Sequence, residues 1–300
     1  MPFFKGALHC HSTKSDGALS PEAVWRWYQE AGWNFAALTD HRTATPAILP
    51  PDLEGRFTAL PGIEYNASGG HGSIHVNGIG GVVREETSKC DGDAAAVLAH
   101  LTRQAHEAGS FTMINHPNWH WALAPEDFRG EANAHALEIW NDSRACNNLG
   151  GRGRPSVEAL WDGLLSEGRR LWAVASDDAH QYALPPRGRL WDVAGGAWVG
   201  VDAPDGSPGS LLKSLMEGSF YASNGVDLET LSRGPGKISL SVKPLGRQVY
   251  TIRWVTTHGR VLRETEAFED ACELPEGEKY LRGVVTSSDG ERAWTQPVFS

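Results

Sequence analysis

Gly6-Ala7-Leu8-His9-Cys10-His11 reads as a short buried strand that ends on two histidines. Successive strand side chains face opposite sides, so His9 and His11 point one way and Cys10 the other. A His-x-His pair on one face is a two-armed metal ligand, and Ser15-Asp16-Gly17 follows in the next loop. The same arrangement recurs outward along the chain. Phe35–Thr39 closes on Asp40-His41, and Phe57–Leu60 is followed by Gly62-Ile63-Glu64. His75 lies in Ser73–Gly78, and Phe111–Asn115 runs into His116-Pro117. After Ala136–Trp140, the strand Leu171–Ser176 closes on Asp177-Asp178-Ala179-His180, and Ala197–Val201 completes the set.

Amphipathic helices are expected between these strands. Ser20-Pro21-Glu22 supplies an N-cap and a proline suited to the first helical position, and Gly32 ends that helix after Ala31. Further helices are expected at Asp93–Ala108, Val157–Glu167 and Ser210–Glu217, the first two stopped by Gly109 and Gly168. Strands alternating with helices argue for parallel pairing through crossovers, and seven to eight strands favour a closed barrel over an open sheet. From about Gly225 the pattern changes. Ile238–Val242, Tyr250–Val255, Val261–Glu264 and Leu281–Thr286 alternate apolar and polar residues between Gly/Pro punctuation, with no helix. The expected division is a barrel over residues 1–224 and a small antiparallel β module over 225–300.

Composition excludes several classes. A net charge of −10 leaves no footprint for duplex nucleic acid, which is gripped through many Lys and Arg contacts. Cys10, Cys90, Cys146 and Cys272 form no CxxC pair, so neither a disulfide framework nor a thiolate zinc site is expected. No run approaches the roughly 18 apolar residues of a membrane span. The segment Met1–Gly6 enters a strand without a signal-peptide pattern, which predicts a cytoplasmic protein.

The ends of parallel barrel strands converge on one mouth, so these separated positions are expected to meet there. His71, His100, His106, His120, His135 and His258 fall elsewhere and are read as surface, capping or packing residues.

Taken in order, His9-x-His11, Ser15-Asp16-Gly17, Thr39-Asp40-His41, Gly62-x-Glu64, His75, Asn115-His116-Pro117 and Ser176–His180 resemble the PHP (polymerase and histidinol phosphatase) superfamily over about residues 5–222. The stretches Leu137–Asn141, Trp161–Leu165 and Ala175–His180 are similar to its stand-alone metallohydrolases, the branch that includes carbaryl-hydrolase-like proteins. The resemblance implies a distorted (β/α)7 barrel of α/β class holding two or three divalent ions. It assigns His9, His11, Glu64 and Asp178 to one ion. Glu64 as a bridge, with His75 and His116, serves a second, and Asp16, His41 and His180 a third. Asp177 and Asp40 are expected to support these ligands from behind.

Imidazole and carboxylate ligands without thiolate suit Zn, Mn or Fe, which would deliver hydroxide from bound water near neutral pH. Three divalent ions set against Asp16, Glu64 and Asp178 leave a cationic centre, which favours a small anionic, phosphorylated substrate. The leading expectation is therefore a phosphoesterase. His180 or His41 would shuttle a proton, and Arg42 would clamp phosphate, with Arg144, Arg152, Arg154, Arg187 and Arg189 as further loop arginines. Hydrolysis of neutral carbamate or carboxylic esters is the alternative, suited by Trp119, Trp121 and Trp140 near the mouth. A non-enzymatic, metal-stabilised binding module is the third.

Overall fold

The structure, a computed structural model, describes residues 3–82, 90, 92–183 and 193–300. Arg187 and Arg189 lie outside the described residues. In chain order come β1 (Phe4–Ala7), α1 (Pro21–Glu30), β2 (Phe35–Ala37), β3 (Thr58–Leu60), β4 (Gly62–Gly69) and β5 (Gly72–Ile79). Then follow α2 (Ala94–Glu107), β6 (Phe111–Ile114), β7 (Ala136–Asn141), α3 (Val157–Ser166), β8 (Trp172–Ser176), β9 (Trp198–Val201), α4 (Pro208–Met216) and β10 (Phe220–Ser223).

The helices form where the caps and apolar stripes lie. The Ser20 side chain accepts from the Ala23 N–H, Pro21 opens α1, and Val24, Trp25, Trp27 and Tyr28 form its buried face. Asp93 caps α2 in the same way, and Val97, Leu98 and Leu101 are fully buried in one cluster with Ile63 and Val76 of β4 and β5. Each of those aliphatic side chains contributes about 1.5–3 kcal/mol by leaving water.

The chain is α/β, but the described strands do not make the closed (β/α)7 barrel expected from the alternation. They fall into open sheets. One runs β9-β1-β2-β3 and is continued beyond β9 by β10; the other runs β4-β5-β6-β7-β8. Pairing is parallel for β1–β2–β3 and for β6–β7–β8, and antiparallel for β4–β5, β5–β6, β1–β9 and β9–β10. The reason is local. β4 and β5 are joined by a two-residue turn, which permits only an antiparallel hairpin, and Pro61 between β3 and β4 has no N–H to carry one ladder into the next.

The two sheets meet at isolated bridges, Cys10↔Ala179, His41↔Glu64 and Thr45↔Gly62. Close approach there requires a glycine, because a Cβ on Gly62 would lie 2.4 Å from the Leu38 carbonyl oxygen. The seam between the sheets runs through the residues singled out by their chemistry.

The C-terminal strands are β11 (Leu228–Gly234), β12 (Lys237–Val242), β13 (Tyr250–Thr256), β14 (Arg260–Glu266), β15 (Glu269–Glu273), β16 (Tyr280–Ser287), β17 (Arg292–Thr295) and β18 (Val298–Phe299). β17 pairs β10, so the order β14-β13-β16-β17-β10-β9-β1 carries one sheet from the tail into the N-terminal part. β11-β12-β15 forms a separate three-stranded sheet. Arg282 on β16 is buried and pairs with Asp162 on α3, its Nε 2.7 Å from Oδ1 and its Nη2 2.6 Å from Oδ2. Tyr280 donates its hydroxyl to the same Asp162 at 2.8 Å. No helix among the described residues is long and apolar enough to cross a membrane.

Candidate metal centre

All nine side chains expected to bind metal come together at the seam. Glu64, wholly buried near the start of β4, is the hub. Its Oε1 lies 2.9 Å from His75 Nδ1, 3.3 Å from His9 Nε2 and 3.6 Å from His116 Nε2. Its Oε2 lies 2.9 Å from His41 Nδ1 and 3.4 Å from His11 Nε2. Asp178 Oδ1 is the second focus, 3.1 Å from both His9 Nε2 and His11 Nε2. Asp16 extends the cluster to the rim, with carboxylate oxygens 3.4 Å from His180 Nε2 and 3.6 Å from His41 Nε2. The rings of His11 and His180 stack at 4.2 Å.

The backbone is bent to achieve this. Arg42, His116 and Asp178 all have positive φ, a conformation costly for residues with a Cβ and concentrated at functional sites. Cys10 points away, its Sγ donating to the Ala37 carbonyl.

The electrostatics are those of groups packed for a shared ion. Burial pushes the Glu64 carboxyl up, but the surrounding histidines, led by His9 and His75, hold it well below the usual range. Asp178 is held low against burial in the same way by His9, His11 and His116. Burial opposes charge on His9, yet the carboxylates of Asp178, Glu64 and Glu138 raise it well above the ordinary imidazole value. His180 is raised to about 9, since Asp16 and Asp178 outweigh its burial. For His11 and His75, burial wins and the pKa falls.

The donors fit a metal. His9 Nε2, His41 Nδ1 and Glu64 Oε2 are buried and lack a hydrogen-bond partner, although each has opposite charge within ion-pair distance. Lone pairs aimed at a common point, rather than along N–H···O lines, are what a cation requires. Four groupings of three or four side chains bring ligand atoms close enough to share an ion: His11-Asp16-His41-His180, His9-His11-Glu64, His41-Glu64-His75 and His9-His116-Glu138. They are imidazole and carboxylate throughout.

The cluster opens into a cavity of about 280 Å³ lined by Asp16, His41, His75, Trp119, Ser143, Ala145, Asp178 and His180. No arginine or lysine among the described residues lines it. Arg42, Arg144 and Arg152 are exposed outside this wall, and Arg154 donates to the Leu123 carbonyl. The phosphate clamp expected of Arg42 is thus not in the cavity: its backbone N–H is tied to the Glu64 carbonyl at the seam, and its side chain is exposed outside the wall. Of the three tryptophans, Trp119 lines the cavity and packs on His75 and His116, while Trp140 lies against Trp294. Trp121 lies within reach of Gly151 in the loop opposite.

The expected supporting roles also shift. Among the described residues Asp40 bonds no histidine directly. It accepts from Ser12 N–H and from the hydroxyls of Ser12, Ser15 and Thr45, bracing the loop that carries Asp16, and Ser15 Oγ in turn lies 3.4 Å from His11 Nδ1. Asp177 faces away from the cluster, accepting from Tyr28 Oη, Gly195 N and Ala197 N, and burial raises it to about 7. The residue sequence reasoning missed is Glu138, wholly buried in β7 and bonded to His9.

A two-domain protein from Bacteroides vulgatus containing a predicted PHP-like metal-dependent phosphoesterase aligns with 98% of this chain and 95% of its own, at 16% identity and a TM-score of 0.54. This chain has that PHP-like fold. Two other solved structures align less closely. A Bifidobacterium adolescentis protein provisionally assigned as a metal-dependent phosphoesterase covers 60% of this chain and 89% of its own, at 14% identity and TM-score 0.43. An amidohydrolase from Chromobacterium violaceum, with bound sulfate and no metal, covers 72% and 96%, at 15% identity and TM-score 0.41. No family model matches the chain, and no curated protein matches it.

Proposed function

We propose that the chain is a metal-dependent hydrolase of the PHP type, acting on small phosphate esters. The observation that carries this reading is the convergence of six imidazoles on Glu64 and Asp178 at the seam of two sheets. In this reading His9, His11, Asp16, His41, Glu64, His75, His116, Asp178 and His180 hold two or three divalent ions, Zn, Mn or Fe. Residues 1–224 carry the centre, and 225–300 form an appended module.

Divalent ions held there would supply Lewis acidity and lower the pKa of water. The chain's own residues do the rest. Glu64 spaces the histidines on either side of it, and Asp178 closes the cluster toward the cavity. His180 directs Nδ1 at the Asp178 carbonyl, 2.9 Å away, which leaves Nε2 at the cavity wall beside Asp16. That Nε2 is the atom left to bind an ion beside Asp16; with only the other two ions held, it is instead the atom placed to hold a proton for the leaving group, with His41 as the second candidate. The positive charge of ions held there would attract a substrate phosphate, since Arg42 does not line the cavity.

The cavity wall supports a second reading. Trp119, Ser143 and Ala145 with no described Arg or Lys suit a neutral aromatic ester, as the resemblance to carbaryl-hydrolase-like proteins implies. Metal-loaded protein incubated with p-nitrophenyl phosphate, bis-p-nitrophenyl phosphate and a naphthyl carbamate separates the two. Phosphate release that chelator abolishes supports the first reading. Carbamate cleavage without phosphoester cleavage overturns it.

A further inference from the structure

We propose that Glu138 is the positioning residue of this centre, holding His9 with Nε2 toward the cluster and fixing the backbone of His116. The inference rests on the metal-centre reading above and extends it to a residue outside the ligand set.

The carboxylate of Glu138 is saturated. Oε1 accepts from His9 Nδ1 at 3.0 Å and from the Ser176 hydroxyl. Oε2 accepts from the His116 backbone N–H at 2.7 Å and from Asn141 Nδ2 at 3.1 Å. An ionised carboxylate offers about four lone-pair directions, and four donors fill them. Glu138 therefore lies near the ligand atoms of His9 and His116 with no lone pair to spare for an ion. It supports the ligands and is not one of them.

A fault in the strand aims it. β7 pairs β8 in register at Glu138↔Val174, then resumes at Trp140↔Ala175, so Ile139 is an extra residue. In an unbroken strand residues 138 and 141 would face opposite sides. The bulge brings both to one side, where Asn141 donates to Glu138 Oε2 and also to Asp178 Oδ2 at 3.2 Å.

The consequence is atomic. With Nδ1–H given to Glu138, the lone pair of His9 sits on Nε2, the buried atom that lacks a hydrogen-bond partner and lies 3.1 Å from Asp178 Oδ1. Glu138→Gln keeps the shape and replaces one oxygen by an NH₂ group. Facing His116, that NH₂ would meet a backbone N–H that can never accept. It must therefore face His9 Nδ1, which then has to accept, moving the ring proton to Nε2 and blocking the metal-facing atom.

The test measures zinc affinity by competition with a chromophoric chelator, and reads the His9 ring by ¹H–¹⁵N NMR of zinc-loaded protein. Wild type should show a hydrogen-bonded His9 Nδ1–H with Nε2 ligated. E138Q should bind zinc roughly 10–100-fold more weakly and lose that Nδ1–H signal, while its far-UV circular dichroism is unchanged. Affinity and signal like those of wild type would overturn the positioning role and leave the metal centre standing. Wild type that binds no zinc would overturn both. Should E138Q fail to fold, the wild-type spectrum alone decides, since a His9 ligated through Nδ1 with its proton on Nε2 is incompatible with the proposal.

Discussion

His41 and Glu64 are joined twice. Their backbones form a parallel bridge, with Glu64 N–H donating to the Asp40 carbonyl and Arg42 N–H to the Glu64 carbonyl, and their side chains meet at 2.9 Å between Nδ1 and Oε2. One pair thus ties the two sheets together and forms the middle of the cluster. Replacing a carboxylate near five imidazoles by an amide removes its charge and one ligand oxygen, and the NH₂ would occupy imidazole lone pairs that an ion needs. Glu64→Gln should therefore lose more bound metal than removal of a supporting residue, exceeding the roughly 10–100-fold effect expected there. Elemental analysis of the purified variant checks this, and a full metal complement would count against the bridging role.

Metal should stabilise the fold. With buried carboxylates and imidazoles facing one another, an ion that binds only the folded chain adds about 2.7 kcal/mol at a hundredfold excess over its Kd. Thermal melts with Zn or Mn should shift upward from the chelator-treated protein, with reversal on adding EDTA. Melting curves that superimpose would argue that the cluster binds neither ion.

Gly62 keeps the seam closed. A Cβ there would strike the Leu38 carbonyl oxygen at 2.4 Å, and backbone cannot yield as a flexible side chain can. Gly62→Ala should cost about 1–3 kcal/mol, the usual penalty of overpacking, and lower metal affinity with it. Urea unfolding and zinc titration of the same sample read both. A loss of stability with intact affinity would separate the seam from the site.

The junction between α3 and β16 should make one part of the fold's stability depend on pH. Burial pushes the Glu158 carboxyl up, but Arg282 and Arg292 overcome this and hold it below 4.5. A group depressed in the folded state stabilises above its unfolded pKa, and that contribution disappears as pH falls through the folded value. Glu158→Gln should thus be less stable than wild type at pH 7, and the difference should vanish in acid. Arg282→Met, which strands the Asp162 carboxylate, should cost about 3–5 kcal/mol at pH 7 by the same assay. A Glu158→Gln deficit that does not shrink as the pH falls would contradict the assignment.

Trp119 should decide between substrate classes. Its ring packs on His75 and His116 at the cavity wall. If it seats an aromatic leaving group, Trp119→Ala should raise KM for aryl esters by roughly 2–10-fold, the value of one aromatic contact, while KM for an alkyl phosphate stays put. Equal changes for both would make Trp119 a structural residue.

Most of the candidate centre was legible because most of its residues end or follow a short apolar strand, His75 within β5 and Asp16 in a loop being the exceptions. His9, His11, His41, His116 and Asp178 are all placed by local chain direction, which residue order encodes. Adjacency to His41 suggests a role for Arg42, but residue order does not say whether its side chain lines the cavity, and among the described residues it does not. The alternation of strands and helices pointed to a closed barrel because it does not record which strands pair. The hairpin of β4 and β5 and the break at Pro61 open the ladder.

By itself, then, the order of residues determined an α/β chain with metal-capable groups at strand ends, since strand periodicity, caps and short-range spacing are local properties. Tertiary structure alone decided the open sheets, the seam through Glu64, the bulge that aims Glu138 at His9, and the buried Arg282–Asp162 pair. Each of these joins residues far apart in sequence. Their contacts depend on ladder register and packing, which no short window of sequence contains.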